Sequence, residues 1–180
     1  PEQVTDACKL VTDILNRSGI RSKLDDRNER PGAKYYEWEM RGAPLRIEIG
    51  ARDLENGVVS FARRDTGEKG AIAMDSVSAG TRMLLDDISA TLYARARSVQ
   101  DSSVTDISSL EDVPKGELDE TKTDRILRMC WCGSPECGHK FEDSTGFKIL
   151  GTPYGAQAFP GKCIVCGKES EKQAYAAHTM

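Results

Sequence analysis

Between Val4 and Ser18 the apolar residues Val4, Ala7, Val11, Ile14 and Leu15 recur at spacings of three and four, and Gly19 follows as a stop. This is the period of an amphipathic helix with a glycine C-terminus. Ile20 to Leu24 reads as a short strand, and the polar run from Asp25 to Gly32 as a loop closed by Pro31-Gly32. A second helix is predicted from about Ala33 to Arg41. Leu45, Ile47 and Ile49 then alternate with Arg46 and Glu48. That two-residue period predicts a strand with one face on a core and an Arg and a Glu turned outward together. Val58 to Arg63 is a further strand, Asp65-Thr66-Gly67 supplies turn chemistry, and Gly70 to Ala73 can return beside it. Met74 to Ser98 carries helical periodicity through Met83, Leu84, Ile88 and Leu92. Strands alternating with helices imply an α/β fold, in which a unit that opens on a helix suggests a first strand upstream.

Beyond residue 100 the pattern shortens. Leu110 opens a weakly periodic helix candidate, Arg125 to Trp131 reads as a strand, Pro135 to Thr145 as a helix, and Phe147 to Leu150 and Gln173 to Ala177 as strands. This second part is too small to rest on its own core. The Ser/Asp/Glu-rich stretch from Asp101 to Glu120 looks like the connection, so the domains are expected at 1–103 and 104–180.

Composition narrows the class. With 38% hydrophobic and 30% charged residues in 180, the chain lies in the globular range. It holds no apolar run of membrane-spanning length and no basic cluster leading into an apolar stretch at the start, so the expectation is a cytoplasmic protein. A net charge of −4 argues against indiscriminate polyphosphate binding. Its acidity is concentrated between residues 71 and 120. Residues 21–70 hold eleven basic and ten acidic side chains, a mixed density suited to specific hydrogen bonding or, equally, to a self-paired solvated surface.

Five of the six cysteines lie in the second part. Cys132 and Cys137 are four residues apart in between, Cys163 and Cys166 two, and 25 residues separate the pairs. Two close pairs of thiols make a tetrahedral zinc site, and four thiolates leave no open position, so the metal would be structural. Gly133, Gly138 and Gly167 each follow a candidate ligand, where absence of a Cβ permits a tight turn. Cys130 or His139, each two residues from a candidate, could replace a neighbour as ligand; buried free thiols are the plain alternative. Cys8 reads as a small core residue and His178 as surface.

The stretch Leu24-Asp25-Asp26-Arg27, then Arg30-Pro31-Gly32-Ala33-Lys34-Tyr35-Tyr36-Glu37-Trp38-Glu39-Met40-Arg41-Gly42-Ala43-Pro44-Leu45-Arg46-Ile47-Glu48-Ile49-Gly50-Ala51-Arg52-Asp53, resembles the anticodon-binding domain of prolyl-tRNA synthetases. Arg63 to Lys69 and the paired cysteines resemble the zinc-containing C-terminal domain of the archaeal and eukaryotic type of that family. The resemblance covers nearly the whole chain and implies a class IIa anticodon-binding α/β domain, a mixed sheet flanked by helices, followed by a small α+β zinc domain. It departs from the family at Gly50-Ala51, where Gly-Pro is usual. It departs again at the end, where Tyr175 is followed by Ala176-Ala177-His178-Thr179-Met180 instead of closing the chain.

Nothing in the chain resembles the class II motifs that hold ATP. The resemblance therefore implies a non-catalytic part of a ligase, with ATP and magnesium belonging to a catalytic domain upstream. It implies recognition of proline tRNA, whose second and third anticodon positions are guanine, and a monomeric fragment of a homodimeric enzyme. Candidate RNA contacts are Lys34, Glu37, Glu39, Arg41, Arg46, Glu48 and Arg52, with Tyr36 or Trp38 as a stacking platform and Arg63 or Arg64 on phosphates. Against this stand a core role for Trp38 and an i,i+4 surface pair for Glu37 and Arg41. Two other readings compete. One is a free-standing RNA- or protein-binding module without ligase activity, and the other an enzyme with catalytic zinc.

Overall fold

The computed structural model describes residues 2–114, 126–155 and 157–178. The chain divides into two compact units, residues 1–94 and 95–180.

In the first unit the order is α1 (Glu2–Arg17), α2 (Pro31–Met40), β1 (Leu45–Glu48), α3 (Ala51–Glu55), β2 (Val58–Arg63), β3 (Lys69–Ala73), a 3-10 turn (Met74–Ser76) and α4 (Val77–Ser102), which runs on into the second unit. The three strands form an antiparallel sheet in the order β1-β2-β3. Its two faces differ by design of the two-residue period. Val59 and Ile72, with Ile47 beside them, turn to a core that also takes Val11 and Leu15 of α1, Ile20, and Val77 of α4. On the other face Arg46 aligns with Ala62 and Lys69, and Glu48 with Ser60 and Ala71. Small residues on the central strand therefore form a floor between charged ones. Gly70 sits against the Phe61 ring: a Cβ there would approach ring carbons within 2.8 Å.

The strand expected at Ile20–Leu24 does not form. Ile20 is buried, but the backbone after it makes no ladder, and the Asn16 side chain accepts from Ser22 N instead (2.9 Å). The short helix α3 escaped the pattern because it has barely one turn. It is fixed by Asp53, whose carboxylate accepts from Gly50 N (2.7 Å) and from Ser60 Oγ (2.8 Å). Ala51 opens α3, the position where proline's fixed φ is most at home. In α4 the buried stripe is Val77, Thr81 and Ile88, with Leu85 packed against the core; Met83 is 71% exposed and Leu92 is also exposed. Of the residues that mark the helical period, Ile88 is buried and Leu84 half-buried, whereas Met83 and Leu92 face solvent.

The second unit holds β4 (Val104–Asp106), a 3-10 turn (Leu110–Asp112), β5 (Ile126–Cys130), α5 (Pro135–Thr145), β6 (Lys148–Gly151), β7 (Gly161–Lys162), β8 (Glu169–Ser170) and β9 (Gln173–Ala177). Four strands make a mixed sheet ordered β4-β5-β9-β6, parallel between β4 and β5 and antiparallel elsewhere; β7 and β8 form a separate hairpin. The expected linker thus supplies a strand at Val104, whereas its end and Arg125 lie outside the described residues. Pro135 starts α5, and Gly146 ends it in the left-handed region at φ +77°. Leu127, Met129, Phe141, Ala174 and Ala176 are fully buried in one cluster. His178 is exposed as expected, but its ring stacks at 4.0 Å on Phe147.

Phe141 is the largest side chain in that cluster with no solvent exposure. We expect Phe141→Ala to destabilise the second unit by about 3–5 kcal/mol. Denaturant titration followed at Trp131 measures it.

Candidate nucleic-acid interface and metal centre

Helix α2 has no buried residue, although Lys34, Tyr35, Glu37 and Trp38 are half-covered. Its contacts are polar, and they form two clusters on its two flanks.

Toward β1, Tyr35 Oη donates to Glu48 Oε2 (2.6 Å), Arg46 Nε to Glu48 Oε1 (2.7 Å), and Arg46 Nη1 to Glu39 Oε1 (2.9 Å). The Arg46 guanidinium lies 3.7 Å from the Tyr35 ring centroid. Arg46 is therefore held on two edges by carboxylates and on one face by an aromatic ring. Burial acts to raise the Glu48 carboxyl, but the bonds from Tyr35 and Arg46 and the charges of Arg46 and Lys69 hold it below its ordinary range. Tyr35 is shifted up, chiefly by donating to Glu48.

Toward the 25–30 loop, Asp25 is the centre. It accepts from Arg27 Nε and Nη2 (2.9 and 2.7 Å) and from Trp38 Nε1 (2.8 Å), and its backbone oxygen accepts from Lys34 Nζ (3.1 Å). Arg27 reaches on to Glu37 and Glu37 to Arg41, both at 2.7 Å. Arg41 and Lys23 both stand over the Trp38 ring, at 5.3 and 5.1 Å. These groups line a cavity of about 280 Å³. A larger open cavity of about 970 Å³ lies in the second unit and includes Trp131, Pro153 and Lys172, but none of the expected RNA contacts.

Of the expected contacts, Lys34, Glu37, Trp38 and Arg41 fall in the Asp25 cluster and Glu39, Arg46 and Glu48 in the β1 cluster. Trp38 is neither core nor open platform, being half-buried with its N–H engaged. Tyr36 is 68% exposed on the outer side of α2. Arg52 is exposed on α3. Arg64 is exposed, and its Nη1 donates to the Glu39 backbone oxygen (3.4 Å). Arg63 is a correction to the phosphate role: it is 7% exposed, on the core side of β2. Its guanidinium donates to Asp65 (3.0 and 2.8 Å), to Asp87 of α4 and to Glu68 (3.4 Å). Sequence reasoning missed Asp25, Arg27, Tyr35 and Lys69 as members of these clusters. Asp25 stands 13 residues before Trp38, a separation that no local period reports, whereas the cross-strand place of Lys69 follows from the hairpin register.

In the second unit the Sγ atoms of Cys132, Cys137, Cys163 and Cys166 all lie within 4.8 Å of one another, and Cys166 Sγ is 3.9 Å from Cys132 Sγ. A tetrahedral ion with metal–sulfur bonds near 2.3 Å requires sulfurs about 3.8 Å apart, so the group can hold a metal ion. The β7–β8 hairpin presents one pair, and the turn after β5 with the first turn of α5 presents the other. Gly133 and Gly167 take positive φ (+85° and +71°), as a tight turn requires. Gly138 is a correction. It lies inside α5, where a Cβ would touch Ile149 and Trp131, so it serves packing. Burial and the facing Cys132 and Cys166 thiols push Cys137 up to about 12. Burial would raise Cys163 too, but backbone N–H groups of Cys166, Val165 and Cys132 donate to its sulfur and bring it down to about 6. Such donors are what a thiolate ligand needs. Cys130 and His139 stand outside the group: Cys130 Sγ faces the Ser170 oxygen at 3.4 Å, and His139 is exposed. Cys8 is half-buried on α1.

The first unit thus sets a polar sheet face beside a solvent-side helix, and the second gathers four thiols. The family model described as anticodon binding domain matches residues 1–99, and the chain belongs to that family. Residues 116–179 match the model described as prolyl-tRNA synthetase, C-terminal. The proline–tRNA ligase of Methanothrix thermoacetophila is 41% identical over 98% of this chain, and that of Methanosarcina mazei 43% over 99%. The chain spans 36% of the length of each of these relatives. The prolyl-tRNA synthetase of Cryptosporidium parvum, solved with L-proline and AMP, superposes with a TM-score of 0.83 at 27% identity, covering all of this chain and 38% of that one. Among the described residues no helix is long and apolar enough to cross a membrane.

Because Arg63 links the β2–β3 turn to α4, we expect Arg63→Gln to lower the thermal midpoint of the first unit. Arg64→Gln should leave it unchanged, as paired melting curves would show.

Proposed function

We propose that this chain reads the anticodon of proline tRNA as the C-terminal part of a proline–tRNA ligase, and that its second unit is built around a structural zinc ion. The observation that carries the first half is Arg46, fixed between Glu39 and Glu48 against the Tyr35 ring on a half-buried polar face. Unstacked guanine offers acceptors at N7 and O6 and donors at N1 and N2. An arginine with two carboxylates beside it presents the complementary set at fixed positions. Tyr36 supplies an open ring for stacking, and Arg41, Arg52 and Arg64 flank the face where a backbone would run. Lys34, Glu37 and Trp38 support α2 from its far flank. The protein that contains this chain would activate proline with ATP and magnesium in an upstream catalytic domain, as a cytoplasmic homodimer.

The zinc reading rests on the donor set. Four thiolates select a soft, closed tetrahedral site, so the ion would stabilise the fold and supply no Lewis-acid chemistry. Cys132 and Cys137 would hold it from the β5–α5 turn, and Cys163 and Cys166 from the hairpin.

Two results are expected. Arg46→Ala should weaken binding to proline tRNA by about 1–3 kcal/mol with little change in melting temperature, since Ile47 carries the packing of β1 on the core. Titration at one stated near-physiological salt, with a second RNA in which both anticodon guanines are replaced, measures this; equal affinity for the two RNAs overturns the reading. Metal analysis should find one zinc per chain, and chelation should melt the residues after Met129 while the first unit stays folded. A single cooperative loss of both units would contradict that.

A further inference from the structure

Helix α2 carries Tyr35 and Glu39, the two groups that fix Arg46 from the helix side, yet it contributes nothing to the apolar core. Its place must come from its polar bonds. On the flank away from β1 these bonds form a closed circuit: Asp25 to Arg27, Arg27 to Glu37, Glu37 to Arg41, Arg41 over the Trp38 ring, and Trp38 Nε1 back to Asp25. Three of the five members stand on or just after α2, at 37, 38 and 41, and two on the loop, at 25 and 27. Asp25 is the loop residue that receives bonds from both elements, from Arg27 and from Trp38, and its backbone oxygen adds Lys34 from the first turns of α2. The Asp25 side chain is 12% exposed, against 44% for Arg27, so it is the sheltered corner of the circuit.

We propose that Asp25 is a positioning residue for base recognition: it pins α2 to the 25–30 loop, so that Tyr35 and Glu39 stand where they hold Arg46. The role rests on the RNA reading above. Asp25 belongs to the other flank of α2 and does not bond to any member of the Arg46 cluster; its effect passes through the helix. The same ion-pair chain engages Arg27 and Arg41 with the Glu37 carboxylate. Two charge-assisted bonds from Arg27 and one bond from the half-buried Trp38 indole N–H are lost or weakened together when the Asp25 charge is removed.

The test uses the full chain and three proteins: parent, Asp25→Asn and Trp38→Phe, the last keeping a ring under Arg41 while deleting the donor to Asp25. Affinity is measured for proline tRNA and for the copy with both anticodon guanines replaced, and amide exchange is followed along α2 and β2. Asp25→Asn is expected to weaken binding of proline tRNA about tenfold, with affinity for the altered RNA unchanged, so that discrimination between the two falls by the same factor. Trp38→Phe should lose discrimination in the same sense and to a smaller degree. Exchange should quicken in α2 and stay as in the parent in β2. Equal weakening toward both RNAs, or α2 exchange no faster than in the parent, overturns the positioning role while leaving the RNA reading intact. Equal binding of both RNAs by the parent overturns the RNA reading and the role of Asp25 with it. If Asp25→Asn does not fold, Trp38→Phe carries the same outcomes.

Discussion

The polar attachment of α2 is the constraint on which the first unit's surface depends. A helix of ten residues without a buried face gains little from the hydrophobic effect and is short for independent stability in water. Side-chain bonds must therefore hold it, and they do so from both sides: Glu48 and Arg46 on the sheet, Asp25 and Arg27 on the loop. The consequence is a recognition surface whose geometry is set by hydrogen-bond lengths more than by packing. Such a surface is stiff while its carboxylates stay ionised. Asp25 is held far below the ordinary carboxylate range, first by the Arg27 bonds and further by Trp38, so this carboxylate keeps its charge as the pH falls.

The second unit meets a different limit. Its buried cluster joins Phe141, Phe147, Leu127 and Met129 with Ile107, Val113 and two alanines, and it does not include the cysteine-bearing hairpin strands. The hairpin that carries Cys163 and Cys166 has two residues in each strand, too few to stay paired by themselves. Four sulfurs gathered within 4.8 Å join that hairpin to the β5–α5 turn. Burial and the facing thiols raise Cys137, whereas backbone donors lower Cys163. A divalent ion held by the four sulfurs would let every ligand be a thiolate at once.

Much of this was legible in the sequence because it is local. Two-residue alternation gave β1, β2 and β9 nearly to the residue, and the same alternation set Arg46 and Glu48 on one side, where they bond. The cysteine pairs were visible as spacing. What was not legible depends on distance or phase. Ile20 is apolar and buried, yet its segment has no sheet neighbour, and β-propensity cannot report that. Leu84 and Leu92 keep helical period with Ile88, but only the core's position selects Val77 and Thr81 to complete the buried stripe. Arg63 and Arg64 are adjacent and chemically equal on paper. The pleat sends one inward to Asp65 and Asp87 and the other outward, so a one-residue step decides which can meet RNA.

Near-neutrality at the interface then has a mechanistic meaning. Arg27, Arg41 and Arg46 each have at least one carboxylate partner, so the surface offers little net positive field to a polyphosphate. Under the RNA reading, affinity for a backbone would be modest and the salt slope shallow. What remains is directional: a guanidinium and two carboxylates at fixed places reward a base that matches donors to acceptors and leave unmatched groups desolvated under one that does not. A site built this way discriminates through the cost of the wrong base, and for that the partners of Arg46 must not move to accommodate it. The polar circuit around Asp25 is the structural means by which α2 resists such movement.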